Sequence, residues 1–359
     1  MKKRKSNNKI AAIVLVAISI VLLACIFIYQ TNILDNDTSD YSDYDIISDI
    51  QISDVSFSEE SSENDSSIEQ SQTESNPDEN SYEPAREIIL YLSEQVDLTV
   101  VSPYAAAAYT DGNVIFSKNI SDKCYPASLT KLLTVSTAAN IVNESFMFTV
   151  GDELDFVLED SSTAFLEKGD TLDFLTLVDA LLLPSGNDAA YVMAVGVGRE
   201  YAGDDTLTPS QALSVFLTLM NQTAEELGCT ESNFVNPDGY HNDLHYSTAS
   251  DMLKIAIHAY SLVIVKNSVS QSKARHIYSN QKKDVTWYNT NRLLSADEQY
   301  YYEYAEGMKT GTTDEAGYCL IAVAEYNDRQ LITVIMGAST DQVRYSDTIS
   351  LFNTVFGLS

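Results

Sequence analysis

The feature that most restricts the fold of this chain is the division of its charge into consecutive zones. Residues 1–30 carry five Lys or Arg and no acid, whereas residues 31–85 carry 16 Asp or Glu and no cation. The second zone also holds 13 serines and no glycine. Such a composition buries too little apolar surface to offset the entropy lost on ordering, so residues 31–85 are expected to form a disordered acidic linker. Only residues 86–359 are expected to fold as a domain.

The first zone, residues 1–30, is expected to be a membrane-targeting segment rather than part of the folded domain. Basic residues precede a run from Ile10 to Tyr29 that is apolar except for Ser19. About 20 helical residues cross the hydrocarbon core of a bilayer, and a basic cluster before them favours a cytoplasmic N-terminus. We therefore expect residues 1–30 to form a cytoplasmic stub and a transmembrane anchor, with residues 86–359 on the extracellular, cell-wall side of the membrane.

Two other interpretations of this segment stay open. The apolar run is longer than the core of a cleaved signal peptide and has no small-x-small site after it, which favours an uncleaved anchor. Leu22-Leu23-Ala24-Cys25 is a loose form of the signal that attaches lipid to a cysteine, here Cys25. Both alternatives, a lipoprotein signal and a cleaved signal, also place the rest of the chain outside the cytoplasm.

Composition excludes several classes of function. The formal net charge is −31, and residues 86–359 keep 16 cations against 36 acids, so no nucleic-acid partner is expected. Three cysteines follow the anchor, an odd number, so at least one thiol should be free. The four histidines form no recognisable metal-ligand pattern. We expect no metal and no cofactor.

Periodicity and turn residues predict a mixed domain in residues 86–359. Two hairpins are predicted, with strands at 104–109 and 113–117 around Asp111-Gly112, and at 318–325 and 330–337 around Asn327-Asp328. Helices are predicted from apolar spacing at 85–95, 128–142, 172–183 and 341–355. Strands at both ends of the domain with helices between them indicate one sheet in an α/β (α+β) fold.

Ser128-Leu129-Thr130-Lys131 is the first candidate for chemistry. Residues i and i+3 of a helix are neighbours, so the serine and the lysine share one face. A serine at a helix N-terminus lies where the dipole favours developing negative charge. The lysine takes the serine proton only if burial or a nearby charge lowers its pKa towards neutrality. Two further copies of the pattern, at 270–273 and 279–282, lie in a polar stretch and are expected to have no role.

Two other motifs carry compatible chemistry. Ser185-Gly186-Asn187 offers a hydroxyl for proton relay and an amide that could hold a peptide. Lys309-Thr310-Gly311 supplies a cation, a hydroxyl and a glycine that lets a substrate backbone approach a strand edge. Together these resemble the Ser-x-x-Lys, Ser-x-Asn and Lys-Thr-Gly motifs of penicillin-binding proteins and class A β-lactamases.

Longer strings carry a more specific resemblance. They are Pro126-Ala127-Ser128-Leu129-Thr130-Lys131, Leu183-Pro184-Ser185-Gly186-Asn187-Asp188-Ala189-Ala190, Asn236-Pro237-Asp238-Gly239, His245-Tyr246-Ser247-Thr248-Ala249, Asn289-Thr290-Asn291 and Gly307-Met308-Lys309-Thr310-Gly311-Thr312-Thr313. By their order and spacing, residues 86–359, about three quarters of the chain, resemble the penicillin-binding domain of serine D-alanyl-D-alanine carboxypeptidases. The resemblance implies a DD-peptidase/β-lactamase-like fold, an antiparallel sheet flanked by helices.

The same resemblance implies acyl transfer. Ser128 would attack the carbonyl between the two terminal D-alanines of a peptidoglycan stem peptide, D-alanine would leave, and water would hydrolyse the acyl-enzyme. Lys131 would be the base and Ser185 a proton relay, whereas Asn187 would hold the substrate amide. β-Lactam antibiotics are expected as further ligands.

The Lys-Thr-Gly motif would bind the end of the substrate. Lys309 would meet the C-terminal carboxylate, with Thr310 and Thr312 donating hydrogen bonds to it and Gly311 allowing close approach. The backbone N–H groups of Ser128 and Thr312 would form the oxyanion hole. The resemblance implies a structural role for His245, and the tyrosines near 300–304 are expected to pack in a loop rather than to bind substrate.

Two points separate this chain from its nearest alternatives. Class A β-lactamases carry Asp in the middle of the second motif and a deacylating glutamate some 35 residues later, whereas Gly186 stands here and Asn221-Gln222-Thr223, then Glu225-Glu226, follow. A non-enzymatic β-lactam sensor needs a way to signal into the cell, yet only nine residues precede the membrane run.

Many carboxypeptidases carry a β-rich C-terminal domain and a C-terminal amphipathic helix. Because 48 residues follow Gly311, we expect the N-terminal anchor to replace that attachment.

Overall fold

The computed structural model describes residues 85–279 and 282–358. The predicted anchor and all but the last residue of the predicted linker lie outside the described residues. The helices are α1 Lys131–Ala139, α2 Phe174–Leu182, α3 Asn187–Ala202, α4 Pro209–Glu226, α5 Ala249–Ser261, α6 Val263–Val269 and α7 Asp341–Phe356. The strands are β1 Tyr91–Leu92, β2 Tyr104–Tyr109, β3 Asn113–Lys118, β4 Met147–Thr149, β5 Thr171–Asp173, β6 Lys273–Tyr278, β7 Lys283–Tyr288, β8 Ala305–Thr313, β9 Gly317–Tyr326 and β10 Arg329–Ala338.

A six-stranded sheet with the order β1-β3-β2-β10-β9-β8 organises the domain. Both predicted hairpins are present in it, as β2–β3 and β9–β10. The two hairpins, which are far apart in sequence, meet in the middle of the sheet, where β2 and β10 pair antiparallel. The strand that carries Lys309-Thr310-Gly311 is β8, at the free edge of the sheet.

The prediction of a helix over residues 85–95 is wrong. The segment is extended and its short strand β1 pairs parallel to β3, so the sheet is antiparallel except at this edge. Backbone N–H groups of Tyr91 and Ser93 donate to the carbonyls of Gly112 and Val114, each at 2.9 Å. Ile89 and Leu92 are 54% and 81% exposed, so their helical spacing does not mark a buried face. Pairing with the sheet outweighs the local helical pattern.

Apolar clusters cover both faces of the sheet. Successive β2 residues point to opposite faces, so Ala106 belongs to the cluster that includes α1 and α5, whereas Ala107 belongs to the cluster under α7. The predicted closing helix is confirmed as α7, and Phe352 on it stacks on Tyr302. Tyr302 is buried and packs in its loop, as the sequence predicted.

One further property of the helices concerns membranes. Within the described ranges, no single helix has both the length and the apolar composition that a bilayer span requires. Taken together, α5 and α6 reach that length and composition, but the two helices meet at a bend of 98°.

Candidate active site

The sequence motifs converge on one cleft of about 310 Å³ beside strand β8. Five segments line it: the turn before α1, the loop at 160–162, the N-terminus of α3, the loop around residue 240, and the end of β8 with the turn after it. They contribute Ser128, Ser161, Asn187, Gly239 and Thr312 respectively. These four partners of Ser128 in the cavity are 33 to 184 positions away from it in the sequence.

Ser128 lies in a tight turn that two glycines make possible. Residues 127–130 form a short 3-10 helix, and α1 begins only at Lys131. Ala127 has φ +48°, an uncommon conformation for a residue with a side chain. A Cβ on Gly239, which has φ +81°, would lie 1.9 Å from the Ala127 oxygen, and a Cβ on Gly311 would lie 3.0 Å from the Ser128 nitrogen. Both glycines allow neighbouring backbone to press against the turn.

Lys131 is completely buried and makes three hydrogen bonds. Its Nζ donates to Ser128 Oγ at 3.0 Å, to Asn187 Oδ1 at 2.8 Å and to the backbone oxygen of Asp238 at 2.6 Å. Burial lowers the pKa of Lys131 from 10.5 to about 8, although the nearby carboxylates of Asp238 and Asp188 raise it. A pKa near 8 leaves part of the amine neutral at physiological pH, as proton abstraction from a hydroxyl requires.

The second motif turns sharply into α3. Ser185 is buried and has φ +64°, and its backbone oxygen accepts a hydrogen bond from Ser162 Oγ at 2.7 Å. Asn187 lies beside Lys131 and in the cleft wall, and its role in holding the substrate amide stays a prediction. Ser185 is not among the hydrogen-bond partners of Lys131, whose three hydrogen bonds go to other groups. Its role as a proton relay stays a prediction.

Asp188 fixes this corner of the cleft. Its carboxylate accepts hydrogen bonds from the backbone N–H groups of Ala164, Leu166 and Ala189 at 2.8, 2.9 and 2.9 Å. Burial raises the pKa of Asp188, and these three backbone donors lower it. The side chain therefore ties the loop at 160–166 to the first turn of α3, which holds the loop over the cleft.

The residues of the third motif and the threonine after it lie in different surroundings: Lys309 is buried, whereas Thr312 faces the cleft. Lys309 is fully buried, and burial, together with the charges of Lys131 and Arg344, lowers its pKa well below 10.5. Its Nζ donates to the Thr310 oxygen at 2.9 Å, and no described carboxylate forms an ion pair with it. Thr310 Oγ1 lies 2.6 Å from Thr290 Oγ1, in the predicted Asn-Thr-Asn string, whereas Thr312 lines the cleft.

Arg344 is a site residue that the sequence did not reveal. Its Nη1 lies 3.3 Å from the Gly311 oxygen, 3.3 Å from Thr312 Oγ1 and 3.2 Å from the Cys319 oxygen. Arg344 lies on α7, 33 positions from Gly311, and no local motif surrounds it. Only the packing of α7 on the sheet brings its charge to β8.

His245 is a structural residue, as the resemblance implied. It is buried, its Nε2 lies 2.8 Å from Thr130 Oγ1, and its Nδ1 accepts from the Val235 N–H at 3.2 Å. Burial, then the charges of His241 and Lys131, lower its pKa to about 3, so the ring is neutral. It supports the turn between Ser128 and Lys131.

The glutamates considered for the β-lactamase alternative lie elsewhere. Glu225 and Glu226 are exposed on α4 and do not line the cleft around Ser128. Asn221 accepts from the Phe234 N–H at 3.0 Å and serves a loop instead. The three described cysteines, Cys124, Cys229 and Cys319, are free, in agreement with the odd count. In the described ranges no group of three or more His, Cys, Asp or Glu side chains could hold a metal ion.

Comparison with known proteins decides the family. The model of the D-alanyl-D-alanine carboxypeptidase family, Peptidase_S11, matches residues 99–340. The chain belongs to this family. D-alanyl-D-alanine carboxypeptidase DacC of Escherichia coli (strain K12) is 32% identical over 262 residues, covering 69% of this chain. The chain spans 59% of the length of that relative, and the same share of a Bacillus subtilis carboxypeptidase, DacF.

Solved structures agree with the family assignment. The DD-transpeptidase of Streptomyces K15 matches with a TM-score of 0.66 and 28% identity, over 73% of this chain and 100% of the other. Penicillin-binding protein D2 of Listeria monocytogenes, in its ampicillin-bound form, matches with a TM-score of 0.58 and 25% identity over the same shares. The mixed fold with a helix-flanked sheet is therefore that of the DD-peptidases.

Proposed function

We propose that this protein is a serine D-alanyl-D-alanine carboxypeptidase acting on peptidoglycan stem peptides. The observation that carries the proposal is the contact between Ser128 Oγ and Lys131 Nζ, at 3.0 Å, with the pKa of the lysine lowered to about 8. A nucleophile, a base matched to neutral pH and family membership support the same reaction. The curated relatives bear the name of this activity.

Acylation would begin with neutral Lys131. The amine accepts the proton of Ser128, whose oxygen attacks the carbonyl carbon of the penultimate D-alanine, and the carbonyl electrons move to its oxygen. The N–H groups of Ser128 and Thr312 stabilise that oxyanion, each worth roughly 3–4 kcal/mol in comparable sites. Lys131 returns the proton through Ser185 to the amine of D-alanine, which leaves as the C–N bond breaks. Water then hydrolyses the ester of Ser128.

The exopeptidase character would come from buried positive charge at β8. The charge of Arg344 is one of the causes that lower the pKa of Lys309, and no described carboxylate pairs with Lys309. Two like charges in a desolvated place favour an anion. A bound substrate carboxylate would raise the pKa of Lys309 again, which makes the free C-terminus a condition for tight binding.

The Lys309→Ala variant is expected to lose carboxylate recognition selectively. A hydrogen bond to a charged group contributes about 1.5–3 kcal/mol, so kcat/KM for an acyl-D-Ala-D-Ala peptide should fall by roughly 10- to 100-fold. Steady-state D-alanine release measures this change. A peptide with an amidated C-terminus should lose far less, and an equal loss on both peptides would remove Lys309 from the carboxylate site.

Release of D-alanine is the direct test of the proposed function. The full chain, in mild detergent, is incubated with acyl-D-Ala-D-Ala and, as a stereochemical control, with acyl-D-Ala-L-Ala. We expect free alanine from the first peptide and little from the second. No release from well-folded protein, on this peptide or on isolated stem pentapeptide, would contradict the proposal.

β-Lactam binding is a second part of the proposal. The Listeria structure that resembles this chain is in an ampicillin-bound form, and the cleft places Ser128 and Thr312 in the same cavity. A β-lactam carboxylate would bind as the peptide carboxylate does. Intact-mass measurement after incubation with ampicillin should give an adduct of one drug molecule.

We propose that the apolar run from Ile10 to Tyr29 anchors the chain in the cell membrane and that residues 86–359 face the cell wall. The basic N-terminus before an apolar run of this length supports the orientation. Protease added to intact wall-less cells should then remove the catalytic domain, and a domain resistant until lysis would contradict the orientation.

A further inference from the structure

A chain of charged side chains leads from the surface to Arg344. Arg292 Nε donates to Glu298 Oε2 at 2.6 Å, and its Nη1 donates to Asp341 Oδ2 at 2.9 Å. The other oxygen of Asp341 accepts from Arg344 Nη2. Arg344 in turn contacts the Gly311 oxygen on β8. One carboxylate, that of Asp341, therefore joins both arginines.

The start of α7 places the backbone of Asp341 close to Arg344. It is the first residue of α7, where the helix dipole favours a carboxylate. Thr340 caps the helix, its Oγ1 accepting from the Val343 N–H at 3.2 Å. Arg344 lies one turn further along, on the same face as Asp341. The helix start thus brings the carboxylate within hydrogen-bond reach of the guanidinium.

Apart from Asp341, the groups that contact the guanidinium of Arg344 are neutral. Gly311 and Cys319 are cross-strand partners in β8 and β9, and Arg344 Nη1 shares its protons among their carbonyl oxygens and Thr312 Oγ1, at 3.2–3.3 Å. Its Nε is buried and has no acceptor among the described residues. Asp341 is its one ion-pair partner within the described ranges. Without Asp341, the guanidinium would keep its long contacts to neutral oxygens and its cation–π contacts with the rings of Tyr318 and Tyr345, whose centres lie 5.5 and 5.1 Å from Cζ, but no charged partner.

The further contacts of Arg292 show that it does more than form an ion pair at the start of α7. Arg292 follows the Asn289-Thr290-Asn291 string, and Thr290 contacts Thr310 of the motif strand. Its backbone N–H donates to Tyr345 Oη at 3.1 Å, and its guanidinium lies 4.7 Å from the centre of the Tyr300 ring. Asp341 is consequently held on one side by the segment that supports β8 and on the other by Arg344.

We infer that Asp341, braced by Arg292, is a positioning residue that sets the Arg344 guanidinium for the substrate carboxylate beside Lys309. This inference rests on the proposed carboxypeptidase function. Asp341 itself does not touch substrate. It acts on binding of the free C-terminus, so its loss should appear in KM for peptides that end in a carboxylate and not in the chemistry at Ser128.

The test compares two peptides on the full chain. In the Asp341→Asn variant, KM for acyl-D-Ala-D-Ala should rise about tenfold, the size expected for a lost charge-assisted hydrogen bond, with kcat within about twofold. The C-terminal amide of the same peptide should react nearly as in the wild type, so the preference for the free carboxylate falls about tenfold. Asp341→Glu should restore part of the preference, and Arg292→Gln should lower it in the same direction.

A second carboxylate on the same helix provides the matched control. Asp347 accepts from the Ser102 N–H at 2.7 Å and Ser102 Oγ at 2.6 Å, away from β8. Asp347→Asn should lower the melting temperature and leave the carboxylate preference unchanged. An unchanged preference in Asp341→Asn, or an equal fall in Asp347→Asn, would overturn the positioning role. A wild type that is inactive on both peptides and is not acylated by ampicillin would instead overturn the proposed function, and the inference with it.

Discussion

Replacing Ser128 by alanine is expected to lower D-alanine release by at least about a thousandfold, to the level that binding and an oxyanion hole alone sustain. The variant removes the atom that forms the acyl bond and leaves Lys131 with two of its three hydrogen bonds, to Asn187 and to the Asp238 oxygen. The side chain is small and the turn that carries it is held by Gly239 and Gly311. The fold should therefore survive.

Two measurements define this result. Initial rates of D-alanine release give the loss, and intact mass after ampicillin treatment should show no adduct. Ser136→Ala is the matched control, because Ser136 lies buried on the same helix α1 and its Oγ donates to the Leu132 oxygen, away from the cleft. A Ser128→Ala variant that still releases D-alanine at the wild-type rate would remove Ser128 as nucleophile.

The local sequence pattern was enough to predict the strands that are joined by tight turns. Gly112 has φ +91°, and Asn327 and Asp328 have φ +51° and +59°, the positive values that tight hairpins require. The residues predicted for β2, β3, β9 and β10 agree with the observed strands within a residue or so. These hairpins form from neighbours in sequence, so a single sequence contains what determines them.

The segment at 85–95 shows where local pattern is insufficient. Its spacing fits a helix, but the Val96 N–H bonds to the Ile115 oxygen at 2.9 Å and the Ile88 N–H bonds to the Leu227 oxygen at 3.2 Å. Those partners are distant in sequence, and an open sheet edge offers unpaired acceptors. The sheet decided the conformation, and helical propensity is a weak preference by comparison.

The candidate site also has a part that the local sequence predicts and a part that it does not. Ser128 and Lys131 share a turn, so their contact was predictable from spacing. The third acceptor of Lys131 is the backbone oxygen of Asp238, which any residue could supply, and sequence reveals only that a glycine follows it. Arg344 has no motif at all. What could not be predicted is therefore backbone geometry and a charge delivered by a distant helix.

Lys131 carries the second large expected effect, through its protonation state. Its pKa is lowered from 10.5 to about 8, and the neutral amine is the form that accepts the Ser128 proton. Below pH 8 the amine is mainly protonated, so kcat/KM should rise about tenfold per pH unit there and level off above it. The rising limb is measured from D-alanine release between pH 5.5 and 9 at constant ionic strength.

The Lys131→Arg variant separates proton transfer from positioning. Arginine keeps the charge and hydrogen-bond donors but is not deprotonated in proteins, so acylation should fall by about a hundredfold to ten-thousandfold, the range for a lost general base. Binding of the peptide should change far less, since Lys309 and Arg344 stay in place. If kcat/KM of the variant still rose with pH up to about pH 8, the pKa near 8 would belong to another group. If the limb disappeared with the rate, the base would be Lys131, and its burial between Asn187 and the Asp238 oxygen would be the physical origin of activity at neutral pH.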